Sequence, residues 1–76
     1  MKVTLKALRA NKGYTQQQAA KSIGVTADTW RKWENGLTFP DVPKIDKIEK
    51  EFGVKYDDII FLVGITVKPY KSKQSA

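Results

Sequence analysis

Five glycines divide the chain into stretches that are too short for anything but small elements of secondary structure. In each stretch apolar residues recur at helical spacing, and a threonine or an aspartate stands where four of the stretches begin. Both residue types cap the first N–H groups of helices, and glycine commonly ends helices. The pattern predicts an all-α fold of five short helices, with caps at Thr4, Thr15, Thr26 and Asp41 and ends at Gly13, Gly24, Gly36, Gly53 and Gly64.

The predicted helices belong to one compact domain, residues 1–67, which is followed by a flexible basic tail, residues 68–76. The second helix runs from Gln16 to Ile23, the third from about Ala27 to Gly36, the fourth from Asp41 to about Phe52 and the fifth from about Tyr56 to Val63. The side chains predicted to point inward are Leu5, Ala7, Leu8, Ala19, Ala20, Ile23, Val42, Ile45, Ile48 and Phe52.

Histidine and cysteine are both absent from the chain. Without them there is no disulfide, no thiolate for zinc and no imidazole for general-base catalysis. No apolar run approaches the roughly 18 residues that a membrane span requires. We therefore expect a cytoplasmic protein without enzymatic activity, metal, cofactor or membrane contact. A single small domain also leaves no room for a small-molecule effector site.

The positive charge lies at the two ends of the chain. The formal net charge is +6, while residues 1–27 and residues 59–76 contain bases and no acids. Basic ends suit a polyanionic partner such as DNA, although a charge that only keeps the protein soluble explains them almost as well.

The third predicted helix has two chemically different sides. At about 100° per residue, Trp30, Trp33 and Leu37 fall on one side. Asp28, Arg31, Lys32 and Asn35 fall on the other. The aromatic side would anchor the helix, and the polar side would face outward, where it could enter the major groove of DNA. The alternative is that Asp28 and Lys32 simply pair on a solvated surface, because they are four residues apart.

Residues 16–35 read QQQAAKSIGVTADTWRKWEN, which resembles the helix-turn-helix of the phage repressor and Cro-like (XRE) family. The resemblance covers about residues 4–63. Its elements are the Thr-Gln helix start at Thr15, Ala20 where the helices touch, Gly24 in the turn, and the Trp-Glu-Asn-Gly motif that begins at Trp33 and ends the third helix. Two residues of this chain depart from the family's pattern. Ala19 stands where the family usually has leucine, and Trp30 stands where it usually has isoleucine or valine. We expect these two side chains to lie close together.

The resemblance implies a sequence-specific DNA-binding transcriptional regulator, most simply a repressor of phage or prophage type. It would act in the cytoplasm of a bacterial or phage-infected cell, associated with the nucleoid. The implied base contacts are Thr26, Ala27, Asp28, Thr29, Arg31 and Lys32. The implied phosphate contacts are Thr15, Gln16, Asn35, Thr38 and Lys44.

The roles of three of these residues are open at the level of sequence. Thr15 is accounted for by helix capping alone, and Gln16 is expected to contact either DNA or the third helix. Asp28 would accept from cytosine, exclude wrong sequences or orient Lys32. A structural ion pair between Arg9 and Glu34 would tie the first helix to the third.

The chain is strongly apolar near its C-terminal end, where residues 59–63 contain no polar side chain. A small core needs only one face of such a helix, so the surplus suggests a homodimer through Ile60, Phe61, Val63 and Ile65. The alternative is that the fifth helix is simply the most buried one. An antitoxin or adaptor-like protein-interaction module on the same fold remains a competing function.

Overall fold

The computed structural model describes residues 2–61, which form four α-helices and a minimal two-stranded sheet. The helices are α1 (Leu5–Asn11), α2 (Gln16–Ile23), α3 (Ala27–Glu34) and α4 (Val42–Phe52). Strand β1 (Val3–Thr4) precedes α1, and a 3-10 helix (Tyr56–Asp58) leads from α4 into strand β2 (Ile59–Ile60). The predicted all-α class and the helix-turn-helix at α2 and α3 are confirmed.

All four helices begin at the predicted caps. Thr4, Thr15, Thr26 and Asp41 each accept a hydrogen bond from the backbone N–H three residues further on. In α2 the bond is reciprocated, because the Gln18 side chain accepts from the Thr15 N–H at 2.8 Å. This capping box satisfies two N–H groups that a helix start would otherwise leave unpaired.

The core lies where α2, α3 and α4 meet, beneath α1. Its largest fully buried side chains are Trp30, Ile23 and Ile48. The other buried apolar residues are Leu5, Leu8, Ala19, Ala20, Trp33 and Ile59. Ala19 and Trp30 are both fully buried in this one cluster, and their direct proximity stays a prediction.

The fifth helix was predicted wrongly over residues 56–60. Tyr56–Asp58 form a single 3-10 turn, and Ile59–Ile60 pair in parallel with Val3–Thr4. β-branched isoleucines favour extended structure, and the N-terminal segment supplies the partner strand. The ends of the domain are therefore tied together by backbone hydrogen bonds. The predicted limit at residue 67, the tail 68–76 and two predicted dimer residues, Val63 and Ile65, lie outside the described residues.

Two apolar residues predicted to point inward are exposed. Leu37 is exposed because α3 ends at Glu34 and the chain then turns at Gly36, whose φ is +73°. Val42 is exposed because it occupies the first position of α4, before the helix reaches the core. Both positions follow from where a helix begins or ends, which periodicity alone does not fix.

Candidate nucleic-acid interface

A sharp turn sets the angle between α2 and α3. Gly24 lies in the turn, as the sequence predicted, and adopts a left-handed conformation with φ of +89°; its N–H donates to the Ala20 carbonyl at 2.9 Å. A side chain would be strained in that conformation, which accounts for the glycine. The buried Ala20 allows the two helices to approach each other closely.

The inner side of α3 is fixed by aromatic packing. The rings of Trp30 and Trp33 lie 5.7 Å apart, and Trp30 lies 5.7 Å from Phe52 on α4. Both tryptophans are buried. Aromatic side chains of this size bury about 150–250 Å² each, so α3 is held firmly against the rest of the domain.

A buried carboxylate completes the attachment of α3. Glu34 is only 4% exposed, and its Oε2 lies 2.6 Å from Arg9 Nε. Gln16 Nε2 donates to Oε1 at 3.1 Å, and Trp30 Nε1 also donates to the carboxylate. These donors come from α1, α2 and α3. The Arg9–Glu34 pair predicted as structural is therefore the centre of a larger network.

Arg9 also secures the segment between α1 and α2. Its Nη1 donates to the Tyr14 carbonyl at 3.0 Å. One guanidinium thus fixes the loop that leads into α2 and the carboxylate at the end of α3. This planar group with several donors suits such a position better than lysine would.

The pKa of Glu34 is lowered from its ordinary value of 4.5. Burial raises this pKa, but hydrogen bonds from Arg9, Gln16 and Trp30 together outweigh the burial. The donors stabilise the charged form, so the carboxylate is ionised at neutral pH.

The outer side of α3 is accessible along its length. Thr26, Ala27, Asp28 and Arg31 are exposed, and Thr29 and Lys32 are partly exposed. The structure therefore places all six predicted base-contacting residues on or at the start of one helix. At eight residues, α3 is about 12 Å long, so only a few base pairs lie within its reach.

Asp28 is paired with two cations of its own helix. Its Oδ1 lies 2.7 Å from Arg31 Nη2, and its Oδ2 lies 3.2 Å from Lys32 Nζ. The Arg31 hydrogen bond, and then that of Lys32, holds the pKa of Asp28 below its ordinary value. Sequence reasoning anticipated the Lys32 pair but not the Arg31 pair, although the i, i+3 spacing would have indicated it.

Two hydroxyl groups at the start of α3 are also paired. Thr26 Oγ1 and Thr29 Oγ1 lie 2.9 Å apart, and Thr26 Oγ1 accepts from the Thr29 backbone N–H at 3.1 Å. If the Thr26 hydroxyl donates to Thr29, the Thr29 hydroxyl keeps its own proton for an outside acceptor.

The predicted phosphate contacts occupy three places. Thr15 and Gln16 begin α2, and the hydrogen bond from Gln16 to Glu34 brings that end of α2 to the end of α3, where Asn35 is the exposed cap. Thr38 is exposed in the following loop, and Lys44 is partly buried in the first turn of α4. Gln16 thus contacts the third helix, and its amide nitrogen has a second N–H for another acceptor.

Within residues 2–61, no helix is long and apolar enough to cross a membrane, and no group of three or more carboxylates is arranged to hold a metal ion.

Comparison with known proteins agrees with this geometry. The family described as helix-turn-helix matches residues 5–59, which include α1 to α4. The chain belongs to the helix-turn-helix family of DNA-binding transcriptional regulators. The resemblance to XRE-type proteins is thereby confirmed. No solved structure matches the chain significantly.

Curated relatives carry the same helix-turn-helix description. The SPbeta prophage-derived HTH-type transcriptional regulator YonR of Bacillus subtilis (strain 168) is 36% identical over 56 residues, covering 74% of this chain and 52% of YonR. The HTH-type transcriptional regulator YgzD of the same strain is 37% identical over 62 residues, covering 82% of this chain and 94% of YgzD. The HTH-type transcriptional activator BcrR of Enterococcus faecalis is 34% identical, and this chain spans 28% of it.

Proposed function

We propose that this protein binds double-stranded DNA sequence-specifically by laying the outer side of α3 in the major groove, and that it represses transcription where it binds. The major groove is about 12 Å wide and admits an α-helix. The setting we propose is a phage or prophage in a bacterial cell, where the protein acts in the cytoplasm on nucleoid DNA. Similarity to a prophage-derived regulator supports this setting.

The observation that carries the proposal is the division of α3 between its two sides. Trp30, Trp33 and Glu34 on the inner side are buried, and the Glu34 carboxylate is hydrogen-bonded to Arg9. The outer side presents a short set of donors and acceptors to the outside. A rigid helix with an accessible polar side favours base readout, because misplacing a donor by a small distance loses its hydrogen bond.

Each residue of the outer side has a chemistry that suits a base edge. Lys32 can donate to guanine O6 and N7, Asp28 can accept from cytosine N4, and the Ala27 methyl can touch a thymine methyl. Thr26, Thr29 and Arg31 flank them. Gln16 and Thr15 at the positive start of α2, with Asn35, Thr38 and Lys44, would hold phosphates and set the register.

We propose further that two copies bind together through the C-terminal end of the domain. Phe39, Val42, Tyr56 and Ile60 are large apolar residues that remain exposed, and the Phe61 ring lies 6.1 Å from Phe39 and 6.0 Å from Tyr56. We name these five residues the apolar end surface. Exposed apolar surface of this kind favours a partner. Sedimentation equilibrium should show a dimer, and a monomer at high concentration would contradict this part of the proposal.

The apolar end surface also favours a second candidate function, an antitoxin or adaptor that docks another protein there. The two functions differ in their response to salt. A DNA-binding protein with several phosphate contacts loses affinity steeply as salt rises, whereas an interface dominated by apolar contacts is much less sensitive.

Selection from a random duplex library tests the main proposal directly. We expect enrichment of a short sequence, read once by each subunit in half-sites about one helical turn apart. Transcription in vitro from a promoter overlapping that sequence should fall as protein is added. Absence of any enriched sequence would overturn the proposal and favour the protein-docking function.

A further inference from the structure

The carboxylate of Asp28 occupies two cations that the proposed DNA-binding function requires. Each of its oxygens takes one partner, with Arg31 Nη2 at 2.7 Å and Lys32 Nζ at 3.2 Å. All three side chains are about half exposed, so the cluster lies on the accessible side of α3 and not in the core. In the free protein, the strongest donors of the outer side are turned toward an acceptor on their own helix.

We propose that Asp28 determines specificity by standing in for a phosphate group. On non-specific DNA, where only phosphates are offered, Arg31 and Lys32 remain paired with Asp28. At the correct sequence they leave Asp28 and bind base edges in two-point contacts. This inference rests on the proposed function, since it concerns the same surface of α3. In this role Asp28 acts through Arg31 and Lys32 as a positioning residue, which takes the place of its direct contact with cytosine.

The Asp28 carboxylate and a DNA phosphate compete for Arg31 and Lys32 on nearly equal terms. Non-specific binding consists of cations that neutralise phosphates. Each cation held by Asp28 must therefore leave that carboxylate before it can contact a phosphate. An exposed ion pair is weak, and a single phosphate offers a similar contact in return. A guanine offers two acceptors in fixed geometry, which favours exchange at the correct sequence alone.

The Asp28 carboxylate keeps its negative charge throughout the physiological pH range. The hydrogen bonds from Arg31 and Lys32 lower the pKa of Asp28, so the carboxylate is charged at neutral pH. Its position on the first turn of α3 also suits a carboxylate because of the helix dipole.

A matched control exists on α4. Asp46 and Lys50 have the same i, i+4 spacing and lie 3.0 Å apart, and the two aspartates are similarly exposed, at 55% for Asp46 and 58% for Asp28. Asp46→Asn therefore changes the net charge by the same amount as Asp28→Asn and removes the same kind of ion pair, away from α3.

The test compares the full chain with Asp28→Asn and Asp46→Asn on two duplexes, the selected sequence and a shuffled sequence of equal length and composition. Asp28→Asn should raise affinity for the shuffled duplex roughly three- to tenfold, with a salt slope steeper by about one to two. Affinity for the selected duplex should rise less or fall, so the specificity ratio drops. Asp46→Asn should change both affinities by the same small factor.

A second comparison distinguishes two ways in which Asp28 could weaken non-specific binding: by pairing with Arg31 and Lys32, or by repelling phosphates directly. In a chain carrying Arg31→Gln and Lys32→Gln, Asp28→Asn should change affinity for the shuffled duplex less than about twofold, because there is no cation left to release. A full gain in that background, or an equal gain on both duplexes in the parent, would overturn the inference. Thermal unfolding of every variant checks that each is folded.

Failure of the proposed function has a different outcome. A parent chain that binds neither duplex at low salt overturns both proposals. A parent chain that binds the selected duplex preferentially, but whose preference is unchanged by Asp28→Asn, overturns this inference alone.

Discussion

Each of two arginine–carboxylate pairs has its carboxylate on α3, and the pairs differ in burial more than in geometry. Arg9 Nε and Glu34 Oε2 are 2.6 Å apart, with side chains 17% and 4% exposed. Arg31 Nη2 and Asp28 Oδ1 are 2.7 Å apart, with side chains 45% and 58% exposed. The chemical groups and the distances are nearly the same, yet the first pair is enclosed by three helices and the second is open to solvent.

The difference shows that burial decides what an ion pair can do. A buried pair cannot exchange partners, because either charge left alone in the interior is strongly unfavourable. An exposed pair contributes little to stability and can be exchanged for another partner. The helix thus has a fixed side that positions it and an exchangeable side that is free to bind.

The largest expected effect comes from removing the buried pair. Arg9→Ala should lower the free energy of unfolding by about 3–5 kcal/mol, because it leaves the Glu34 carboxylate buried without its cation. Arg31→Ala, the matched change on the exposed pair, should alter it by less than about 1 kcal/mol. Urea unfolding measures both. Equal losses in the two variants would contradict the division of α3.

Overpacking the core between α2 and α3 should have the next largest effect on stability. Ala19 is fully buried, so Ala19→Leu should lower the free energy of unfolding by about 1–3 kcal/mol. If Trp30 fills the volume beside it, Trp30→Ile should relieve part of the penalty, and the double variant should be more stable than the two single losses predict. Strict additivity would show that the two side chains do not share that volume.

Protonation of Glu34 in acid should weaken the fixed side. The folded-state pKa of Glu34 is lowered from 4.5, so its contribution is complete above pH 4.5 and is lost as the pH falls through the folded-state value. One such group changes the free energy of unfolding by at most about 1.4 kcal/mol per pH unit. Urea titrations below pH 4.5 should show this slope, and Glu34→Gln should lack its contribution.

Much of the fold could be predicted from the sequence because its boundaries depend on local chemistry. The caps at Thr4, Thr15, Thr26 and Asp41 and the turn at Gly24 are each set by a few neighbouring residues. The strand pairing of residues 59–60 was missed because its partner lies more than fifty residues away. A short apolar run cannot be assigned to helix or strand by periodicity alone.

The candidate site was predictable in part for the same reason. Periodicity placed Asp28, Arg31 and Lys32 on one side of α3, and family resemblance paired Arg9 with Glu34. The hydrogen bond from Gln16 to Glu34 joins residues eighteen positions apart, and no local pattern specifies it. The exposure of Leu37 was missed because the end of α3 was placed two residues too late.

A smaller change in stability than that of Arg9→Ala is expected from Gln16, which lies between the fixed and exchangeable sides. Gln16→Ala removes one hydrogen bond to Glu34, about 1 kcal/mol of unfolding free energy, and one candidate phosphate contact. Affinity should fall equally for all DNA sequences, with the salt slope unchanged, because a neutral amide releases no counterion from the DNA. The exposed neighbour Gln17 provides the control, and a change confined to one base pair would contradict the role proposed for Gln16.

The most direct test of the account is the base preference of a Lys32→Ala variant. Affinity is measured for the selected duplex and for every single base-pair substitution of each half-site, with Lys50→Ala on α4 as the control. Lys32→Ala should lose about 1–3 kcal/mol of discrimination at one base pair of the half-site and keep its preferences elsewhere. A uniform loss at all positions, or an unchanged profile, would contradict the claim that the outer side of α3 reads bases.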